Sequence, residues 1–216
     1  MSNPFYSRKL HSLLGVIPIG FFLIEHFITN WNATKGNDAF IDAALWIHDL
    51  PFIFFLELFG IWLPLLYHGV YGLYIALKSN SNVSRYGYHR NFMFTLQRVS
   101  GIATLIFIIW HTWETRVQIA LGNTEITELG ILMREIFSNP IYFVLYLIGI
   151  VAATFHFSNG MWSFLVSWGV TIGPRSQRIS SYFWTVAFFI IAGVAIWAMF
   201  GFLDADFFTK GVEAHG

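Results

Sequence analysis

The chain has 216 residues, of which 56% are hydrophobic and 11% charged, with no cysteine and a formal net charge of zero. Soluble domains carry about 25% charged residues, so this composition, with a mean hydropathy of +0.60, excludes an ordinary soluble domain and points to helices in lipid. Zero net charge gives no reason to expect a nucleic-acid partner, and the lack of cysteine excludes disulfides, iron–sulfur ligation and covalent c-type haem attachment.

A spanning helix needs about 20 mostly apolar residues, and five stretches meet that length. The first covers residues 12–30 and contains His26. Arg8 and Lys9 precede it, but no small-residue cleavage site follows, so it reads as a permanent span rather than a signal peptide. A long acidic loop comes next, with an amphipathic stretch at 39–47 that predicts a surface helix. The second span, 52–78, carries Glu57 and His68, and the third, 91–113, carries His111. Another long loop holds a second amphipathic stretch at 126–137. The fourth span, 140–168, contains His156 and no charged residue; the fifth, 180–203, contains neither charge nor histidine. Period-two alternation is absent, which argues against a membrane β-barrel. The expectation is an all-α membrane bundle of five helices forming one domain over 1–216.

Charge sorts by side. With alternating spans, Arg8, Lys9, Lys78, Arg85, Arg90, Arg98, Arg175 and Arg178 share the amino-terminal side, whereas Lys35, Arg116, Arg134 and Lys210 lie opposite. Eight basic residues against four place the amino terminus in the cytoplasm and the carboxyl terminus outside. The twelve acidic residues all fall on the outer side or in the outer halves of spans.

Ionisable residues at membrane depth are costly and mark functional sites. His26, His68, His111 and His156 occupy four successive spans, one each. A single such histidine is accounted for by an interhelical hydrogen bond; four in this distribution ask for a common cause. Spans one and three run outward, and His26 and His111 lie four and two residues before their outer ends. That puts both within roughly 3–8 Å of the outer boundary at 1.5 Å per residue. Spans two and four run inward, and His68 and His156 lie ten and twelve residues before their inner ends, or roughly 15–18 Å deep. Two imidazoles on different helices at one level are what a bis-histidine haem requires, so the depths predict two haems, His26 with His111 and His68 with His156. Structural zinc wants four ligands in one place, and a methionine axial ligand is unnecessary here.

Gly72 and Gly160 lie four residues after His68 and His156, and Gly15 lies eleven before His26. Small residues there admit a porphyrin edge or a neighbouring helix equally well. His11 and Ser12 precede His26 by fifteen and fourteen residues, near the same helical face, and are candidates for an inner haem propionate. His89 is placed in a cytoplasmic loop, while His48 and His215 read as solvated outer residues.

The runs Leu10–Ile17 (LHSLLGVI), Leu65–Tyr74 (LLYHGVYGLY), Leu96–Glu114 (LQRVSGIATLIFIIWHTWE) and Phe155–Arg178 (FHFSNGMWSFLVSWGVTIGPRSQR) resemble the cytochrome b membrane anchor of succinate dehydrogenase. The likeness is to the single-chain, di-haem, five-helix type of Bacillus-like enzymes, and it extends to about Ser181. It implies two haem b groups, the proximal held by His68 and His156 and the distal by His26 and His111. It also implies a flavoprotein subunit and an iron–sulfur subunit as partners, menaquinone as acceptor, and the bacterial cytoplasmic membrane as location. Whether the complex forms a higher oligomer is left open.

In that scheme the iron–sulfur subunit docks on the cytoplasmic face, with Arg85, Arg90, Arg175 and Arg178 as steering charges. Electrons pass through the proximal haem to the distal one and on to a quinone near the outer side. Glu57 is the foremost candidate for relaying quinone protons, ahead of the interfacial Glu25 and Glu114. Trp31, Trp110 and Trp113 either flank the quinone or belong to the aromatic belt. Three alternatives stand beside this reading: the anchor of a fumarate reductase, another di-haem quinone-reactive cytochrome b, and a transporter with histidine proton relays. One histidine on each of spans one to four speaks against the second.

Overall fold

The computed structural model describes residues 4–79 and 85–210. Five helical runs are long and apolar enough to cross a membrane: Pro4–Lys35, Ile53–Lys78, His89–Ala120, Pro140–Ser167 and Pro174–Leu203. Only helices and turns occur among the described residues. His215, expected to be solvated, lies outside them, as does Glu213.

Most of these runs extend past the apolar stretches in the sequence, because a helix does not stop where the lipid stops. Arg175 and Arg178 sit in the first turns of the fifth span, which opens at Pro174, where the missing N–H of proline costs nothing. The third span continues beyond Trp113 as a π turn, Trp113–Val117, that carries Glu114 and Arg116. The first span is interrupted after Val16, because Pro18 cannot donate to the carbonyl four residues back. A second π turn, Leu58–Trp62, precedes Pro64 in span two and accommodates the same lost donor. Span four starts on a side-chain cap: Asn139 Oδ1 accepts from the amide nitrogens of Ile141 at 2.9 Å and Tyr142 at 3.4 Å.

Spans one to four form a ring in chain order, with span four lying along span three and the inner half of span one. Span five packs outside this ring against spans four and one. Its interface is built from small residues: Ala192, Ala195, Ala198 and Gly201 are buried there. Small side chains let helix backbones approach closely where lipid supplies no hydrophobic drive. A Cβ on Gly201 would stand 2.8 Å from the Thr34 nitrogen, so only glycine fits that crossing.

The densest apolar packing lies at the end of the bundle that holds the two long loops, the one expected outside. The surface helices expected in the two long loops are present as Asn37–His48 and as Leu129–Ser138, the latter entered through a short 3-10 turn with a capping box between Glu125 and Glu128. Phe40, Ile41, Met133, Ile136 and Phe137 from these helices bury against Tyr146, Ile150, Met199 and Phe202 of spans four and five. Phe207, fully buried, closes the cluster from the segment after span five. Gly36 makes that closure feasible. Its φ of +116° suits glycine alone, and a Cβ there would meet Lys210 Cβ at 2.8 Å. The adjoining Asn37 N–H donates to the Phe207 carbonyl at 2.7 Å.

Candidate cofactor sites within the bundle

The histidines come together in two levels. His68 and His156 have ring centroids 6.1 Å apart with planes at 81°; His26 and His111 have centroids 5.8 Å apart at 71°. Tyr146, beside His111, precedes His156 by ten residues on one helix, which separates the levels by roughly 15 Å. No cluster of three or more side chains suited to a metal ion alone occurs among the described residues.

At the inner level both rings have their orientation set by backbone carbonyls. His68 Nδ1 lies 2.8 Å from the His11 carbonyl oxygen, and His156 Nδ1 lies 3.0 Å from that of Gln97. A carbonyl only accepts, so each Nδ1 carries the proton and each Nε2 keeps its lone pair. Gln97 adds a second hold. Its amide nitrogen donates to the His156 carbonyl at 2.9 Å, and its side-chain oxygen accepts from Asn159 Nδ2 at 2.7 Å. Two glycines receive the rings. A Cβ on Gly15 would lie only 2.3 Å from His68 Cε1, and one on Gly101 2.7 Å from His156 Cε1.

The outer level is built from side chains. His111 Nδ1 lies 3.3 Å from the Tyr146 hydroxyl, which donates to Glu114 Oε2 at 3.1 Å. Asn30 Nδ2 donates to the His26 carbonyl at 2.8 Å and reaches its Nε2 only at 3.4 Å. Phe107 stacks on His111 at 5.7 Å and 19°.

These donor sets suit a haem. A metal–imidazole bond is about 2 Å, and with about 1 Å from nitrogen to ring centre, two imidazoles sharing one ion have centres up to roughly 6 Å apart. Both pairs have that spacing. Each would offer two neutral nitrogen donors to a haem iron, and the porphyrin would supply the rest. The Nδ1 partners match the outer-shell hydrogen bonds that orient metal-binding histidines.

The other expected residues are placed as follows. His11 stacks flat on His68, with centroids 4.0 Å apart and planes at 11°. Its own Nδ1 is buried without a hydrogen-bond partner among the described residues, as a propionate contact would be. Ser12 Oγ donates to the Lys9 carbonyl at 3.2 Å and accepts from Trp168 Nε1 at 3.0 Å, tying spans one and four at the inner end. Gly72 faces His11 and Gly160 faces Gln97, so these glycines admit side chains from neighbouring helices. Glu57 pairs with Arg116, Nη2 to Oε2 at 2.8 Å and Nε to Oε1 at 3.3 Å. Glu25 accepts from Thr29 Oγ1 at 2.6 Å. Trp110 packs on Tyr146, and Trp113 is largely exposed. Arg85, Arg175 and Arg178 are exposed at the inner end with His89, while Arg90 bonds Gln177 at 2.8 Å; His48 is exposed at the outer end. Gln97, Gly101, Asn159 and Tyr146 were not singled out in the sequence. Gln97 and Gly101 lie in one run that carries the resemblance and Asn159 in another, whereas Tyr146 has no signal beyond its place on a histidine-bearing span.

Residues 76–195 match the family described as succinate dehydrogenase/fumarate reductase transmembrane subunit. The succinate dehydrogenase cytochrome b558 subunit of Bacillus subtilis (strain 168) is 49% identical over 202 residues, covering 94% of this chain and 98% of that protein. Five apolar spans, two part-buried imidazole pairs and this similarity along nearly the whole length agree: the chain is a multi-pass membrane protein and belongs to the family of succinate dehydrogenase/fumarate reductase transmembrane cytochrome b subunits.

Proposed function

We propose that this chain is the di-haem anchor of a succinate dehydrogenase in the bacterial cytoplasmic membrane, passing electrons from an iron–sulfur subunit, itself fed by a flavoprotein subunit, to menaquinone. The observation that supports it most is the pair of imidazole levels, each joining two different spans at the spacing of a bis-histidine site. When bound, the two haems supply one-electron relays at two depths. His68 and His156 hold the inner one and His26 and His111 the outer one, with His11 and Ser12 as the proposed propionate contacts.

The chain's own residues do the rest. The His11 and Gln97 carbonyls keep the inner imidazoles in the Nδ1–H form, so Nε2 is the ligand atom. The charge asymmetry supports an amino terminus inside, and the exposed Arg85, Arg175 and Arg178 form a basic face for the iron–sulfur subunit. Quinone chemistry sits at the outer level, where Glu57, held by Arg116, is the proposed proton relay. The relative's succinate dehydrogenase name favours succinate oxidation over fumarate reduction.

The test is a pyridine haemochrome assay with reduced-minus-oxidised spectra on the membrane-bound complex. Two haems per chain are expected, with His68→Met and His156→Met altering one spectral component and His26→Met and His111→Met the other. A spectrum without haem bands would refute the haem assignment. One haem per chain, or a component shared by His68 and His26, would refute the pairing.

A further inference from the structure

The two levels differ in what stands behind the imidazoles. At the inner level the Nδ1 acceptors are neutral peptide carbonyls. At the outer level His111 leads through a phenol to a carboxylate. The Tyr146 hydroxyl has one proton and gives it to Glu114, so its oxygen is left to accept from His111 Nδ1–H. Tyr146 has little freedom to do otherwise. It is 2% exposed, and its ring is wedged edge-on against Phe107, Phe137 and Trp110 at 5.3, 5.1 and 4.9 Å. The π turn at Trp113–Val117 sets Glu114 at the carboxylate end of the chain, three residues past His111. Arg116 of the same turn is committed to Glu57, and Glu114 has no ion-pair partner among the described residues.

We propose that Tyr146 and Glu114 are positioning residues that lower the reduction potential of the His26/His111 haem, by passing carboxylate charge through the phenol to the His111 ring. The proposal rests on the haem assignment above. A carboxylate behind a ligand imidazole raises its basicity, and a more basic ligand stabilises ferric over ferrous iron. Loss of the link therefore shifts the outer haem towards the ferrous state and leaves the inner haem untouched. Outer-shell partners of this kind are worth about 10-fold or more in metal affinity, and here the loss falls on the ferric form that the more basic ligand stabilises. For a one-electron couple a tenfold change in the ferric-to-ferrous ratio is about 59 mV.

The experiment is a potentiometric titration of the membrane-bound complex at constant pH, followed in the haem absorption bands. Tyr146→Phe keeps the ring packing and removes the hydroxyl; Glu114→Gln keeps the shape and removes the charge. Both are expected to raise the midpoint of the same single component, by about 59 mV for Tyr146→Phe. The double variant should move it no further than Tyr146→Phe alone, because the two act in series. If Tyr146→Phe fails to retain the outer haem, Glu114→Gln decides. Unmoved midpoints, equal shifts in both components, or additive effects overturn the proposal. An unmutated protein without two haems would instead defeat the haem assignment, and that is read before any variant is made.

Discussion

Gly101→Ala tests how tightly the inner histidine level is built. The new methyl would stand 2.7 Å from His156 Cε1 and 3.1 Å from its Nδ1. Ordinary carbon contacts begin near 3.5 Å, so the imidazole must retreat by at least about 0.8 Å. His156 cannot do so freely, because Nδ1 is bonded to the Gln97 carbonyl at 3.0 Å and the Gln97 amide holds the His156 carbonyl. The ring therefore loses its hydrogen bond or its ligand position. Disturbing the support of a metal-binding histidine typically weakens metal affinity by about 10–100-fold, or about 1.4–2.8 kcal/mol at 1.4 kcal/mol per tenfold. The assay is haem content per chain with a reduced-minus-oxidised spectrum, taken beside Gly193→Ala as a control; a Cβ at Gly193 meets nothing within 4 Å. The expected result is selective loss or alteration of the component that His68→Met and His156→Met also alter. Retention of both haems with unchanged spectra, or loss confined to the other component, would refute the reasoning.

Glu57→Gln removes the partner of Arg116 and should slow succinate-driven quinone reduction while both haems remain bound and reducible by succinate; normal quinone turnover would remove Glu57 from the mechanism. Phe207→Ala should destabilise the outer cap by roughly 3–5 kcal/mol, the usual cost of emptying a buried phenylalanine site, because Phe207 is fully buried against Phe202; an unchanged thermal unfolding midpoint in detergent would contradict this. Asp204 is held below the usual carboxylate range, first by the Lys210 side chain and then by the Asp206 amide. A depressed carboxylate adds stability that is present above its ordinary titration range and lost as pH falls through its lowered one. Asp204→Asn should therefore flatten the acid limb of the stability-versus-pH curve, and an unaltered acid limb would show the pair to be idle.

Much of this protein was legible in order of residues alone, because lipid imposes simple demands. Uncharged runs of about 20 residues must be helices, since only a helix satisfies its own backbone in hydrocarbon. Helix direction alternates, so the rise per residue sets the depth of each histidine, and depth alone puts His26 level with His111 and His68 level with His156. What depth cannot give is rotation about the helix axis. Whether Gly101 or Gly72 faces His156, whether His11 lies on His68 or reaches elsewhere, and which carbonyl takes each Nδ1 proton all depend on how the helices turn towards one another. Helix ends are obscured for a related reason: Arg116 looks like a stop signal, yet the helix runs through it because its charge finds Glu57, and span five starts at Pro174 with the exposed Arg175 and Arg178 already inside it. The link from His111 through Tyr146 to Glu114 joins spans three and four across a π turn. No periodicity announces it, because it exists only once two helices have packed at one angle and one register.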